Sequence, residues 1–256
     1  MTDAVASPVE LSVSREEWQV RKDCAALYRL VALHNWDDLT FTHISARAPG
    51  QDDHFLINRY GLFFDEITAS SLVKIDVEGN VVDQSDARIN RQGFLIHSTI
   101  HRARPDARFV MHLHAGPACA VAAQAQGLLP ITQTAMTLLE DLAYHDYEGI
   151  DFTEEERERL VENLGPRHTM LLRNHGTLTI GTTAAAAFVR SFFLNRACDM
   201  QLRAQSGGAA LRLVGPEIVA NVGRESGYKG DAAHLEGLVW PGLLRKLDRL
   251  SSDFAA

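Results

Sequence analysis

The chain has 256 residues, 46% hydrophobic and 23% charged, with a formal net charge of −8. That is an ordinary globular composition, long enough to enclose a sizeable core, and its scattered Lys and Arg residues build no basic patch for nucleic acid or an anionic membrane. Cys24, Cys119 and Cys198 lie far apart in apolar segments and form neither a disulfide framework nor a cysteine-based zinc motif, and no apolar leader or membrane-length apolar run is present. The expectation is a cytoplasmic protein with small-molecule partners and no nucleic acid or membrane partner.

Residues 1–13 read as a flexible N-terminus and 14–256 as a single domain, in which 207–256 form a helical C-terminal extension. Ser14, with Glu17 three residues on, has the pattern of a capping box and opens a long helix to about His34. The stretches "DLTFTHISAR" (38–47) and "HFLINR" (54–59), separated by "APGQDD", predict paired strands, and "LVKIDVEGNVVD" predicts a hairpin turning near Glu78, Gly79 and Asn80. Phe94, Ile96 and Ile100 set a helical period from about Gln92 to Arg104, which Pro105 ends.

"ARFVMHLH" is the next strand, and Pro117 opens a helix running to Gly127. After a mixed segment, Thr153 and Glu156 make a second capping-box pattern for an acidic helix stopped at Gly165-Pro166. "HTMLLRNHGTLTIG" reads as two strands joined at Asn174-His175-Gly176, followed by a long helix from Thr183 to about Gln205. Pro216 starts a short helix, and the chain closes in a helix broken at Pro241. Strands interleaved with helices, several as hairpins, imply a mixed sheet covered by helices.

His112 and His114 sit on one strand and alternate with Met111 and Leu113, so both imidazoles point to the same face. Two neutral imidazoles on one rigid face can share a divalent cation. His175, followed by Gly176 in a tight turn, is the candidate third ligand, and three histidines with an open position describe a catalytic rather than a structural metal site. His97 and His101, spaced i and i+4 on one helix, lack the glutamate of a zinc-protease motif and are expected at the surface or in support of the metal ligands. His34, His54, His168 and His234 read as ordinary structural histidines.

The ordered motifs "FTHISAR", "LINRYGLFFDEITASSLVKIDVEGNVV", "HSTIHRARPDARFVMHLH", "LAYHDYEG" and "LLRNHGTLTIG" resemble the class II aldolase/adducin family from about Glu16 to Gln205. The resemblance implies a three-layer α/β/α sandwich with a central mixed, largely antiparallel sheet. It further implies zinc, with iron or manganese as alternatives, on His112, His114 and His175. The implied assembly is a homotetramer with active sites between subunits, and a tyrosine donated across that interface matches Tyr147, with Tyr144 as fallback. The implied activity is a carbon–carbon lyase of carbohydrate type.

The departures from the family pattern are as informative. Arg91-Gln92-Gly93 stands where the phosphate-specific aldolases carry Ser-Ser-Glu, so their acid/base carboxylate is absent. Thr42-His43 replaces the family's Gly-Asn phosphate pair. A non-phosphorylated substrate is therefore expected, and Arg91 suits a carboxylate through two parallel hydrogen bonds. Gln92, Thr42 and Gly61 are the other candidate substrate contacts, and proton transfer falls to Tyr147, His145, His43 or a bound water. A decarboxylase, epimerase or iron oxygenase on the same fold, or a non-catalytic adducin-like module, are the alternatives.

Overall fold

Apolar residues alternate along the central strands, and each of the two faces they define is covered by helices. The computed structural model describes residues 7–83, 87–149, 153–225, 234–250 and 252–256, with Arg91, Gln92 and Ser252 described in backbone only. Its strands are β1 (His43–Arg47), β2 (His54–Ile57), β3 (Val73–Asp76), β4 (Phe109–Leu113), β5 (Leu142–His145), β6 (Thr169–Leu172) and β7 (Gly176–Gly181). They form one seven-stranded sheet in the order β3-β2-β1-β4-β7-β6-β5, antiparallel throughout except for the β5–β6 pair. The expected mixed, largely antiparallel sheet is the one observed.

The helices are α1 (Pro8–Ser12), α2 (Arg15–Leu33), α3 (Arg91–Ala103), α4 (Gly116–Ala122), α5 (Gln133–Leu139), α6 (Glu154–Leu164), α7 (Ala184–Ser206), α8 (Pro216–Glu225) and α9 (Trp240–Leu250). On one face, Ile44, Leu56, Phe109, Met111 and Leu113 pack against α2, α7 and α9. On the other, Val110, Met170, Leu172, Leu178 and Ile180 meet Ile96 and Ile100 of α3 and Leu160 and Leu164 of α6. Burying both faces at about 25 cal/mol per Å² of apolar surface is the main driving force for this three-layer arrangement. No helix among the described residues is long and apolar enough to cross a membrane.

Both predicted N-caps form, Ser14 Oγ accepting from Glu17 N at 3.1 Å and Thr153 Oγ1 from Glu156 N at 3.2 Å. The glutamates do not complete the reciprocal half of the box, because each has a stronger partner in the interior. Glu17 binds Arg21 Nε at 3.0 Å and Lys74 Nζ at 2.6 Å, while Glu156 turns to His145, its Oε1 3.6 Å from Nε2.

Several predicted boundaries move. Residues 8–12 inside the expected flexible N-terminus form the one-turn α1, capped by Ser7 Oγ. The first strand starts at His43 rather than Asp38, since Leu39 and Thr42 adopt φ of 52° and 65° and interrupt an extended run. The helix opened by Pro117 stops at Ala122 instead of Gly127, and the mixed segment before Thr153 holds α5 and β5. Pro241 does not break the last helix; the wider turn Leu235–Val239, in which Trp240 N donates to Leu235 O, leads into α9 and accommodates the missing proline N–H.

One buried hydroxyl joins the layers. Tyr28 Oη of α2 accepts from Ile44 N at 2.8 Å and lies 2.9 Å from Asn58 Oδ1, so it clamps β1 and the end of β2. Tyr28→Phe leaves these interior polar groups without their partner and is expected to lower unfolding stability by about 1–3 kcal/mol, read from urea denaturation.

Candidate metal centre

The centre is built where β4 ends between β1 and β7. His112 lies opposite His43 on one side and Leu178 on the other, deep in the sheet. Its Nδ1 is 3.0 Å from Thr177 O. A carbonyl only accepts, so Nδ1 carries the proton and Nε2 is left with a bare lone pair. His114 follows the same logic, with Nδ1 donating to Asp38 Oδ2 at 2.9 Å and Nε2 buried without a protein partner. Such outer hydrogen bonds fix the tautomer that a metal ligand needs.

His175 reaches the same point from the turn between β6 and β7. Asn174 adopts φ 57°, and a Cβ at residue 176 would lie 2.5 Å from Leu113 O and 2.8 Å from His114 Cδ2, so only glycine lets the turn approach. The Cys119 thiol donates to His175 O at 3.2 Å and steadies the turn. The three ring centroids are 4.8 to 5.0 Å apart, and the potential ligand nitrogens lie within 4.8 Å of one another. Burial, reinforced by the neighbouring imidazoles, holds His112 well below the ordinary histidine pKa and His175 down to about 4. Both therefore stay neutral near pH 7, which is the form that binds a metal. Three imidazole nitrogens with no carboxylate among them fit a divalent cation of the zinc type with positions left open.

The histidines line a cavity of about 920 Å³ including its mouth. His43, buried with both ring nitrogens unpartnered, and Thr42, buried with its hydroxyl unpartnered, form one wall. His145 forms another, accepting from Asn163 Nδ2 at 2.9 Å and facing Glu156. Tyr147, 51% exposed, stands at the mouth with its ring 6.2 Å from His175. Within the single chain, Tyr147 lines the cavity.

Other expectations are corrected. Gly61 is exposed and is not among the residues that line this cavity. Tyr144 is structural, its hydroxyl accepting from Leu128 N at 3.0 Å and its ring lying under Arg173, 4.4 Å from the guanidinium carbon. His97 and His101 are not surface residues but fully buried, bridged by Ser45 Oγ at 2.6 and 2.7 Å. The side chains of Arg91 and Gln92 lie outside the described part of the structure, although Gly93 beside them lines the cavity. Sequence reasoning missed the pairings of Asp38 and Glu156, whose partners are His114, 76 residues away, and His145 on the strand β5 just before α6.

The family described as "Class II Aldolase and Adducin N-terminal domain" matches residues 22–202. The chain belongs to this family. A Caulobacter vibrioides protein provisionally named an aldolase class 2 protein is 56% identical over 95% of this chain and 94% of its own length. Mouse alpha-adducin is 41% identical over 77% of this chain, which spans only 28% of that adducin. Among solved structures, an aldolase II superfamily protein from Pseudomonas syringae shares 45% identity and a TM-score of 0.93, covering 98% of this chain and 100% of that one. The L-fuculose 1-phosphate aldolase of Glaciozyma antarctica shares 25% identity and a TM-score of 0.79, over 91% of this chain and 92% of that one. The α/β fold expected from the family motifs is therefore the fold of the class II aldolases.

Because Asp38 hydrogen-bonds His114, Asp38→Ala is expected to weaken any divalent-cation uptake at this centre about 10–100-fold, measured by competition with a chromophoric chelator, while leaving the thermal unfolding of the metal-free protein nearly unchanged.

Proposed function

We propose that this chain is a metal-dependent, aldolase-like lyase for a small oxygenated substrate that carries no phosphate. His112, His114 and His175 would hold the divalent cation, zinc first and iron or manganese as alternatives. The observation that carries the proposal is the convergence of three imidazoles, two with their outer nitrogens anchored to oxygen acceptors, on the wall of a cavity that also holds unpartnered polar groups. Burying so many polar groups beside a core is costly unless they serve a ligand.

When bound, the cation supplies Lewis-acid polarisation of a substrate carbonyl. The chain's own residues do the rest. Thr42 Oγ1, buried on the wall, is free to donate to a substrate oxygen. His43, His145 and Tyr147 line the same space and are the groups that would move protons there. Ile96, Leu160 and Leu172 exclude water from the inner end.

A phosphate is disfavoured because Asp146 and Glu156 line the cavity, and Arg173, the cation among its described lining residues, is spent on Gln124 O at 2.7 Å and on the Tyr144 ring. Arg91, in the first turn of α3 beside Gly93, is proposed to hold a substrate carboxylate, with Gln92 as its neighbour.

A cytoplasmic homotetramer with sites between subunits completes the proposal. Leu39 and Phe41, 63% and 51% exposed beside the cavity mouth, are the apolar surface a neighbouring subunit would cover. The second reading, a non-catalytic module, is favoured by the similarity to alpha-adducin.

Elemental analysis of protein purified without chelator, followed by a retro-aldol screen of hydroxy-acids and hydroxy-ketones, separates the two. About one zinc, iron or manganese per chain, lost in His114→Ala together with turnover, is the expected result. Folded protein that takes up no metal sinks the lyase, and a metal-loaded protein inert across the screen supports the module.

A further inference from the structure

The cavity wall holds one buried carboxylate. Glu156 is 5% exposed and lines the cavity, and among the described residues no hydrogen bond reaches its carboxylate oxygens. Its neighbours there are apolar: Leu160 lies one turn further along α6, and Leu172 is paired with His145 across the β5–β6 ladder. As the third residue of α6, Glu156 stands where a glutamate can reach back to the backbone of the Thr153 cap, and it turns inward instead. Burying a carboxylate without a donor is costly, so a local preference given up for such a position marks a group that serves a ligand.

The group facing it is His145, also 5% exposed. Asn163 Nδ2 is an amide nitrogen and only donates, so His145 Nδ1, 2.9 Å away, accepts, and the ring proton sits on Nε2. That Nε2 is buried without a hydrogen-bond partner. Glu156 Oε1 is 3.6 Å from it, beyond the range of a direct hydrogen bond. A donor and an acceptor, both unfilled, thus stand side by side on the cavity wall, and a hydroxyl group fills both with one oxygen.

No other described group of the cavity offers the same. Asp146, the other acidic residue among the described lining residues, is exposed. Position 93 on α3 is closed to any side chain, since a Cβ there would lie 1.6 Å from His43 Cε1.

We propose that His145 and Glu156 form a hydroxyl seat in the cavity and that Glu156 is the base that takes the hydroxyl's proton. The substrate hydroxyl accepts from His145 Nε2 and gives its proton to Glu156 Oε1. The oxygen's electron pair becomes a new C=O bond, the adjacent C–C bond breaks, and its pair passes into the carbonyl at the other end of the substrate. The freed carbon takes up one proton in turn, which returns Glu156 to the carboxylate form and consumes no outside reactant. Glu156 is the catalytic residue, and His145 and Asn163 position the hydroxyl. The proton transfer rests on the lyase reading of the cavity; the seat does not.

Long-range proton–nitrogen NMR of the protein as purified, labelled with ¹⁵N-histidine, tests the seat without calling on any reaction. His145 should be protonated at Nε2 and bare at Nδ1, and ethylene glycol, used as a hydroxyl probe, should shift the Nε2 resonance saturably. In Glu156→Leu the glycol dissociation constant should rise about 10-fold or more, the effect of deleting one hydrogen bond to a charged group, and Glu156→Ala serves where the leucine variant fails to fold. In turnover of a hydroxy-ketone found by the retro-aldol screen, Glu156→Gln should lower kcat about 10²–10⁴-fold at unchanged metal content. Formate, a small carboxylate, should restore part of the rate to Glu156→Ala, a response that a merely structural role would not give.

His145 protonated at Nδ1, or glycol binding indifferent to the loss of Glu156, overturns the seat. A kcat near the wild-type value in Glu156→Gln, or a Glu156→Ala rate that formate leaves unchanged, overturns the base. A metal-loaded protein inert across the screen refutes the lyase and the base together, and the NMR titration then decides the seat by itself.

Discussion

The register of β4 between β1 and β7 is the constraint on which the rest of the site depends. It sets His112 opposite His43, brings Thr177 O within reach of His112 Nδ1, and carries His114 out of the sheet just where the turn before β7 presents His175. A slip of one residue would put Met111 and Leu113 on the cavity side and both histidines in the apolar layer beneath α2 and α7. The greasy residues of β4 thus enforce the placement of the polar ones, since burying imidazoles in that layer costs more than any alternative pairing could return.

The same sheet face accepts an unusual density of interior polar groups. His43, Ser45, His97, His101 and His112 are all buried between β1, β4 and α3. Ser45 is satisfied twice and His101 at both nitrogens, so the far end of the group is closed. Toward the cavity the satisfaction stops, at His97 Nε2, both nitrogens of His43, Thr42 Oγ1 and His114 Nε2. Buried polar groups normally find partners, so this gradient, complete at one end and open at the other, points toward the cavity.

Much of this was legible in the sequence, and the parts that were not share a cause. The capping serine and threonine, the alternation in "MHLH" and the glycine after His175 are local signals, and the elements they predict form. What escaped is set by long-range packing. Asp38 follows a helix and precedes a kinked loop, with nothing nearby to pair it with His114. Glu17 and Glu156 carry the local pattern of a capping box, yet Arg21 with Lys74, and His145, draw their carboxylates inward. The pair His97 and His101 looks exposable on a helix with polar ends, and only the position of Ser45 on β1 shows why both are buried. α5 and β5 are each too short to carry a periodic signature.

The seat of His43 over Gly93 also constrains how such a site can change by mutation. The imidazole and any side chain at residue 93 compete for one volume, so the two positions form an epistatic pair: each substitution is tolerated or not according to what stands at the other. A walk from a Gly93 chain to one carrying a carboxylate there must first shrink residue 43, passing through an intermediate with neither group at the cavity wall. Single-site libraries would score both positions as immutable, and only simultaneous randomisation would reveal that they are exchangeable.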